Sequence, residues 1–285
     1  MLHDLRMGVI GSGQMAEAMI KGLLDRDVIA PDHICASDPR PERGDYLRER
    51  FGIGFTTHNP EAVETADIVI LSVKPQALPH VEPDLRGVIR PEALVLSIIA
   101  GARLRSIASG LQHQAVVRAM PNTPARIGEG ITVWIATKAV TEGQRTQARA
   151  ILEALGEEIY VDDEGYLDMA TALSGTGPAY IFLVMEAMID AGVHMGFSRY
   201  VAEKLVLQTM RGSVDFARQS GLHPAELRNQ VTSPGGTSAE AIYQLEKGAL
   251  RTVLSRAIWA AYQKSKYLGD LSEERYNDTD TDEAK

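Results

Sequence analysis

Ten residues near the start of the chain, Met7-Gly-Val-Ile-Gly-Ser-Gly-Gln-Met-Ala16, limit its fold more than any other stretch. A β-branched run ends in G-x-G-x-x-A and passes straight into a helical pattern. Gly11 permits a tight turn, Gly13 lets backbone approach a pyrophosphate, and Ala16 is small enough for the helix to pack on the strand. Alone the motif is weak. Its context strengthens it, because a second apolar run, His33–Ser37, ends at Asp38, the spacing of a dinucleotide-binding βαβ unit. Further strands are expected at 68–73, 94–98, 115–119, 131–135 and 158–161, with helices at 14–25, 43–50, 76–85 and 141–155 between them. That alternation predicts an α/β Rossmann domain with a doubly wound, mostly parallel sheet.

From about Gly165 the strands stop. Helical periodicity covers 178–195, 198–220, 223–230, 237–247 and 250–268. The polar turn Asp162-Asp163-Glu164-Gly165 marks the expected boundary: a dinucleotide-binding domain over 1–163, then an all-α domain over 164–270 for dimerisation and substrate binding. The runs Ile181–Met188 and Val201–Met210 would leave much apolar surface bare on a lone bundle, so interlocking with a second subunit is expected. Ala179–Phe197 is broken by Glu186, Asp190 and His194 and reads as a buried or interface helix rather than a membrane span. Residues 271–285 read as an acidic, disordered tail.

The formal charge is −9. Seven acidic residues lie between Asp270 and Lys285 against only Arg275 and Lys285, so the rest of the chain is close to balanced. This argues against nucleic acid or an anionic membrane as the partner. The one cysteine, Cys35, allows no internal disulfide and suits a reducing cytosol. The N-terminus has no long apolar segment, so no secretory signal is expected and the localisation reads as cytoplasmic.

Ligands of such sheets sit outside the carboxyl ends of the strands. Asp38 there suits a free ribose 2′-hydroxyl and repels a 2′-phosphate, yet Arg40 and Arg43 follow at once and could clamp one. NADH and NADPH both stay open on these residues. Lys74, at the tip of Val69–Pro75, would reach cofactor or substrate, or be an ordinary surface lysine. Ser97-Ile-Ile-Ala-Gly101 leaves room for a flat ring. In the second half, Val231-Thr-Ser-Pro-Gly-Gly-Thr-Ser-Ala-Glu240 turns into a helix, and Thr237 with Glu240 fits a capping box. Free N–H groups around Gly235 and Gly236 would take a small carboxylate, with the hydroxyls of Thr237 and Ser238 beside them. The plainer reading is that Thr237 only caps a helix. His223, before Pro224, reads as a cap rather than a base. No metal is called for.

The chain resembles the Δ1-pyrroline-5-carboxylate reductases, which make L-proline. The resemblance runs from Met7 to about Leu268. It is carried by Gly11–Ala16, Ser72–Gln76, Ser97–Gly101, Arg118-Ala-Met-Pro-Asn-Thr-Pro-Ala125, Ala172-Leu-Ser-Gly-Thr-Gly-Pro-Ala-Tyr180 and Val231–Ser238. It implies NAD(P)H-dependent reduction of a cyclic imine, the last step of proline biosynthesis. It also implies a homodimer with interlocked helices, dimers assembling into rings up to a decamer, and a site between one subunit's cofactor and another's helices. By the same resemblance Gly11, Ser12, Gly13, Gln14, Met15, Asp38, Asn59, Val73, Lys74, Pro75 and Ala100 contact the cofactor, and Arg40 joins them on the reading of the residues after Asp38 given above. Asn59 there reaches the adenosine ribose or its phosphate, which tips the reading toward NADPH. Gly235, Gly236, Thr237 and Ser238 hold substrate, with Ser238 and Lys74 closest to the chemistry. Thr176 and Ser238 depart from the family's usual Ser and Thr but keep the hydroxyl. Asp38 replaces smaller or neutral residues. Two alternatives are a β-hydroxyacid-dehydrogenase-like oxidoreductase and a non-catalytic NAD(P) sensor. The first would need a lysine and nearby asparagine on the first long helix of the second domain, and Pro178–Glu186 has neither.

Overall fold

The computed structural model describes residues 2–282. The chain divides into two compact units: residues up to Thr176 together with the segment from Ala261 onward, and Gly177–Ala260.

The first unit is built on eight strands, β1 (Met7–Ile10), β2 (Ile34–Ser37), β3 (Gly54–Thr56), β4 (Ile68–Leu71), β5 (Leu94–Ser97), β6 (Val116–Met120), β7 (Gly130–Ala136) and β8 (Gly156–Tyr160). Their order is β3-β2-β1-β4-β5-β6-β7-β8. The first six run parallel, β7 pairs antiparallel with β6, and β8 pairs parallel with β7. The order reverses between β1 and β4, which creates a crevice at their carboxyl ends.

Every residue of β1, β4 and β5 is buried. Alternation along these strands sends side chains to two separate cores, because successive residues of a strand face opposite sides. Met7, Val9, Ile68 and Ile70 join Ile20 and Leu23 of α1 (Gln14–Asp25), Leu47 of α2 (Pro41–Phe51) and Ile151 of α6 (Glu142–Glu153). Ile10, Val69, Leu71 and Val95 join Val63 of α3 (Asn59–Val63), Leu78 of α4 (Leu78–Leu85) and Ile107 of α5 (Leu104–Leu111). A sheet covered on both faces needs continuous apolar strands, and that is what the sequence supplies.

After β8 come α7 (Gly165–Ala170) and a π-helical turn, Thr171–Gly175. The second unit holds α8 (Gly177–His194), α9 (Arg199–Ser220), α10 (Pro224–Gln230), α11 (Thr237–Lys247) and the start of α12 (Leu250–Asp282). Gly192 lets α8 meet α9: a Cβ there would lie 3.0 Å from that of Ala202. Few other side chains of this unit are buried. Phe182 and Leu183 are 60% and 66% exposed, and Leu205 and Phe216 are also open.

Two expectations need correction. The sequence ends the last helix at Leu268 and leaves 271–285 disordered. Instead α12 continues to Asp282, and only 283–285 of that tail fall outside the described residues. The helix also returns to the first unit from Ala261 instead of staying with its helical neighbours. The reason is an anchor in the first unit. Arg103 faces Asp270 at 2.9 Å and Glu273 at 3.3 Å, and Ser265 donates to the buried carboxylate of Asp168 at 2.8 Å. Glu273, inside the stretch that read as a disordered tail, and Asp270 just before it are partners of a cation on the first unit.

Candidate functional site

The turn after β1 is shaped by Gly11. Its φ of +85° lies where side chains are strained. An added Cβ would meet Val73 Cγ1 at 2.7 Å and the Ser72 backbone at 2.9 Å, so the first and fourth strands converge here with no room to spare. At Gly13 the opposite holds: a Cβ would meet nothing within 4 Å. Gly13 is also the N-cap of α1, which has no side-chain cap. Open space in front of an uncapped helix start suits a pyrophosphate.

At the tip of β2, the Asp38 carboxylate is buried and accepts from the amide and hydroxyl of Ser12, at 3.3 and 3.1 Å. It also accepts from Arg40 Nε at 2.8 Å, Nη2 at 3.1 Å and the Arg40 amide at 3.2 Å. Burial favours the neutral acid, but the hydrogen bonds from Arg40 and Ser12 outweigh it and hold the carboxyl below its ordinary range. Arg43 is committed elsewhere, to the Ser12 carbonyl at 2.7 Å and to Glu17 at 2.6 Å. Asn59 accepts from Ser37 Oγ at 2.8 Å and donates to Asp84 at 3.0 Å.

Beyond β4, Lys74 is exposed and precedes a 3-10 turn, Pro75–Ala77; its ammonium has no partner among the described residues. Pro75 and Ala100 line one cavity of about 150 Å³, to which Leu268 and Leu271 of α12 also contribute. The sequence reading missed this wall. Its only trace is the apolar Leu268 and Leu271 set beside charges.

A second loop structure supports the crevice. Asn122 donates to the Ser174 carbonyl at 3.2 Å and accepts from the Ile131 amide at 3.0 Å. It thereby ties the Pro121–Pro124 stretch to the π turn, whose Thr176 amide bonds Thr171 five residues back at 2.8 Å. Arg118, 2% exposed, pairs with Glu164 at 2.7 Å. The Arg103 guanidinium is partly withdrawn from water, yet Asp168, Asp270 and Glu273 more than compensate and stabilise its charge.

In the second unit, Ser233 to Gly236 form a tight turn, with the Gly236 amide bonded to the Ser233 carbonyl at 3.0 Å. Pro234 sets the turn and Gly235, at φ +69°, takes the position that requires a left-handed residue. The expected capping box is absent. Gly236 is the N-cap, Thr237 is the first helical residue, and no side chain caps the helix. Three residues with wide backbone freedom or hydroxyl groups thus leave the helix start bare. The Gly236 amide is spent on the turn, so among the described residues the free donors are the amides of Gly235, Thr237 and Ser238. The hydroxyls of Thr237 and Ser238 have no partner either; Ser238 is half-buried. His223 does cap α10, its Nδ1 accepting from Ala225 at 3.2 Å.

The expected cofactor residues therefore all fall in the first unit, and the four expected substrate residues all fall in the second. Against known proteins, residues 164–268 match the family model described as pyrroline-5-carboxylate reductase dimerisation. Residues 6–101 match the one described as NADP oxidoreductase, coenzyme F420-dependent. A pyrroline-5-carboxylate reductase of Synechocystis is 40% identical over 93% of this chain and 99% of its own length.

The chain belongs to the pyrroline-5-carboxylate reductase family.

The Pseudomonas aeruginosa reductase is 42% identical, covering 93% of this chain and 97% of the relative. The crystal structure of the Plasmodium falciparum reductase, solved with NADP bound, superposes with a TM-score of 0.84 at 30% identity, over 94% and 99% of the two chains. The family's dimerisation region also covers the apolar helical stretch Gly165–His194. That stretch is long and apolar enough to cross a membrane and only 6% of its most apolar window is buried within this one chain. A family model for dimerisation over this stretch is consistent with an exposed face that meets another subunit.

Proposed function

We propose that the chain reduces the cyclic imine 1-pyrroline-5-carboxylate to L-proline with NADPH or NADH, in a site completed by two subunits. The observation that carries the reading is the helix start at Gly235–Ser238. Among the described residues it offers three unpaired amides and two unpaired hydroxyls in one turn, on a chain whose relatives bear the name of this activity.

The fit to a dinucleotide rests on the open space at Gly13 and the uncapped start of α1. Gly11 to Met15 would hold the pyrophosphate, and Val73, Lys74, Pro75 and Ala100 the reduced-ring end. When bound, the reduced nicotinamide supplies the hydride. The protein's share is placement. Amides of Gly235, Thr237 and Ser238, at the positive end of α11, hold the substrate carboxylate. Ser238 sets its hydroxyl against the ring nitrogen, keeping the protonated imine in place and serving as a route for the proton. Thr237 closes the other side. Lys74 adds a positive charge near the carboxylate. Orientation of this kind accounts for much of the rate of a reaction whose electrons come from the cofactor.

The exposed apolar faces of α8 and α9 support a dimer with interlocked helices, and rings of such dimers up to a decamer extend the same reading. A single cysteine and a demand for reduced nicotinamide both suit the cytosol. The test is oxidation of NADH and of NADPH, in parallel, over a range of pyrroline-5-carboxylate concentrations. Saturable oxidation with stoichiometric proline supports the reading. Cofactor binding without turnover would return the chain to a sensing role.

A further inference from the structure

An acidic residue at the end of the second strand of a Rossmann unit ordinarily receives the ribose 2′-hydroxyl and so favours NADH. Asp38 occupies that position, but its carboxylate is already filled. Two oxygens offer about four lone-pair sites. Ser12 supplies two donors and Arg40 three, all between 2.8 and 3.3 Å. The side chain is 7% exposed, so a ribose hydroxyl has neither a free acceptor nor a path to one.

Arg40 is the other half of the arrangement. Its Nε and Nη2 are tied to Asp38, while the side chain stays 58% exposed. A guanidinium has five N–H donors in one plane. Two are spent inward, so three remain for solvent or a ligand, in a fork that Asp38 prevents from swinging. Arg43, the other cation nearby, has only 18% of its side chain exposed and is locked between the Ser12 carbonyl and Glu17. Asn59 is likewise engaged on both ends.

We propose that Asp38 is a positioning residue that braces the glycine loop and aims Arg40, and that Arg40 reads the 2′-phosphate of NADPH, making this chain NADPH-preferring in spite of its acidic residue. The inference rests on the dinucleotide lying along Gly11–Met15, as set out above. Bidentate donation by arginine to a phosphate is both strong and geometrically selective.

The test combines fragment binding and kinetics on the full-length oligomer. Adenosine 2′,5′-bisphosphate should bind wild-type protein more tightly than AMP, and Arg40→Ala should erase most of that difference. In steady state, Arg40→Ala should lower the NADPH-to-NADH ratio of kcat/KM by about 10- to 100-fold, the worth of a charge-assisted contact. Arg40→Lys should restore part of it. Asp38→Asn should raise KM for both cofactors without favouring NADPH. A wild-type preference for NADH, a ratio untouched by Arg40→Ala, or a shift toward NADPH in Asp38→Asn would each overturn the proposal. If neither dinucleotide nor fragment binds wild-type protein, the cofactor site itself falls and the inference with it. That outcome is separate from binding without discrimination.

Discussion

Both units are rich in apolar residues, and they are opposite in what they do with them. The Rossmann unit sends Ile10, Ile20, Leu71 and Leu96 to full burial within its own chain. The helical unit buries Gly192, Ala202 and Val206 and leaves Phe182, Leu183, Leu207 and Phe216 in the open. Burying one such large side chain stabilises by about 1.5–3 kcal/mol. The first unit can collect that stabilisation alone, whereas the second requires another subunit. Division of labour follows. On the function proposed above, the cofactor would lie on a self-sufficient sheet, and the turn proposed for substrate sits on the unit with the exposed apolar faces.

The largest test of this contrast is the double variant Phe182→Glu with Leu183→Glu. It should dissociate the oligomer and reduce activity by more than about a hundredfold, since two apolar contacts and two buried charges are at stake. Sedimentation and turnover would report this, while cofactor binding by the first unit should survive. If the oligomer stays intact, the exposed faces serve something else. Gly11→Ala attacks the other unit. A Cβ 2.7 Å from Val73, at φ +85°, adds a clash to a left-handed strain of about 1–2 kcal/mol. KM for the cofactor should rise at least tenfold, about 1.4 kcal/mol of binding, with the oligomer unchanged.

Ser238→Ala should lower kcat/KM for the imine by about 10- to 100-fold, the range for a hydrogen bond to a charged group. Its hydroxyl has no protein partner to lose, so Tm should not fall. A drop in Tm without a kinetic change would mean that Ser238 is structural. The smallest effect is in pH. Asp38 has a depressed pKa in the folded state, so its brace is fully present above the ordinary aspartate value of about 4 and is lost only as pH falls through the lower folded value. Cofactor affinity should therefore hold steady down to about pH 4, where an aspartate with the ordinary value would already be half protonated. A loss already under way there, absent in Asp38→Asn, would show that the carboxylate is not braced.

What could be read from the sequence follows the same division. The β-branched runs and G-x-G-x-x-A announced the sheet because its strands are buried on both faces and show as unbroken apolar segments. The strand Gly54–Thr56 went unseen: it is three residues long, half-exposed and at the sheet edge, so no periodicity marks it. The short helices Asn59–Val63 and Gly165–Ala170 were missed for want of length. All the expected cofactor residues sit in the unit expected to hold them, but the roles within it were not legible. That Asp38 is saturated by Ser12 and Arg40, or that Arg103 gathers Asp168, Asp270 and Glu273, depends on pairs separated by up to 170 positions. Charges that meet only in the fold leave no pattern along the chain. The capping box failed for a local reason: Gly236 took the N-cap and moved Thr237 one place into the helix.

Mixed dimers test the central claim most directly. One chain carries Gly11→Ala, which spoils the cofactor turn, and its partner carries Gly235→Val, which cannot hold φ +69° and spoils the substrate turn. Assayed at cofactor concentrations well below the raised KM of the Gly11→Ala chain, each variant alone should turn over slowly. Co-assembled, they should recover a substantial fraction of wild-type turnover, because one of the two sites then unites an intact glycine loop with an intact Gly235–Ser238 turn from the other chain. Mixed dimers that form but stay inactive would mean that each chain builds its site from its own two units, contradicting the shared site.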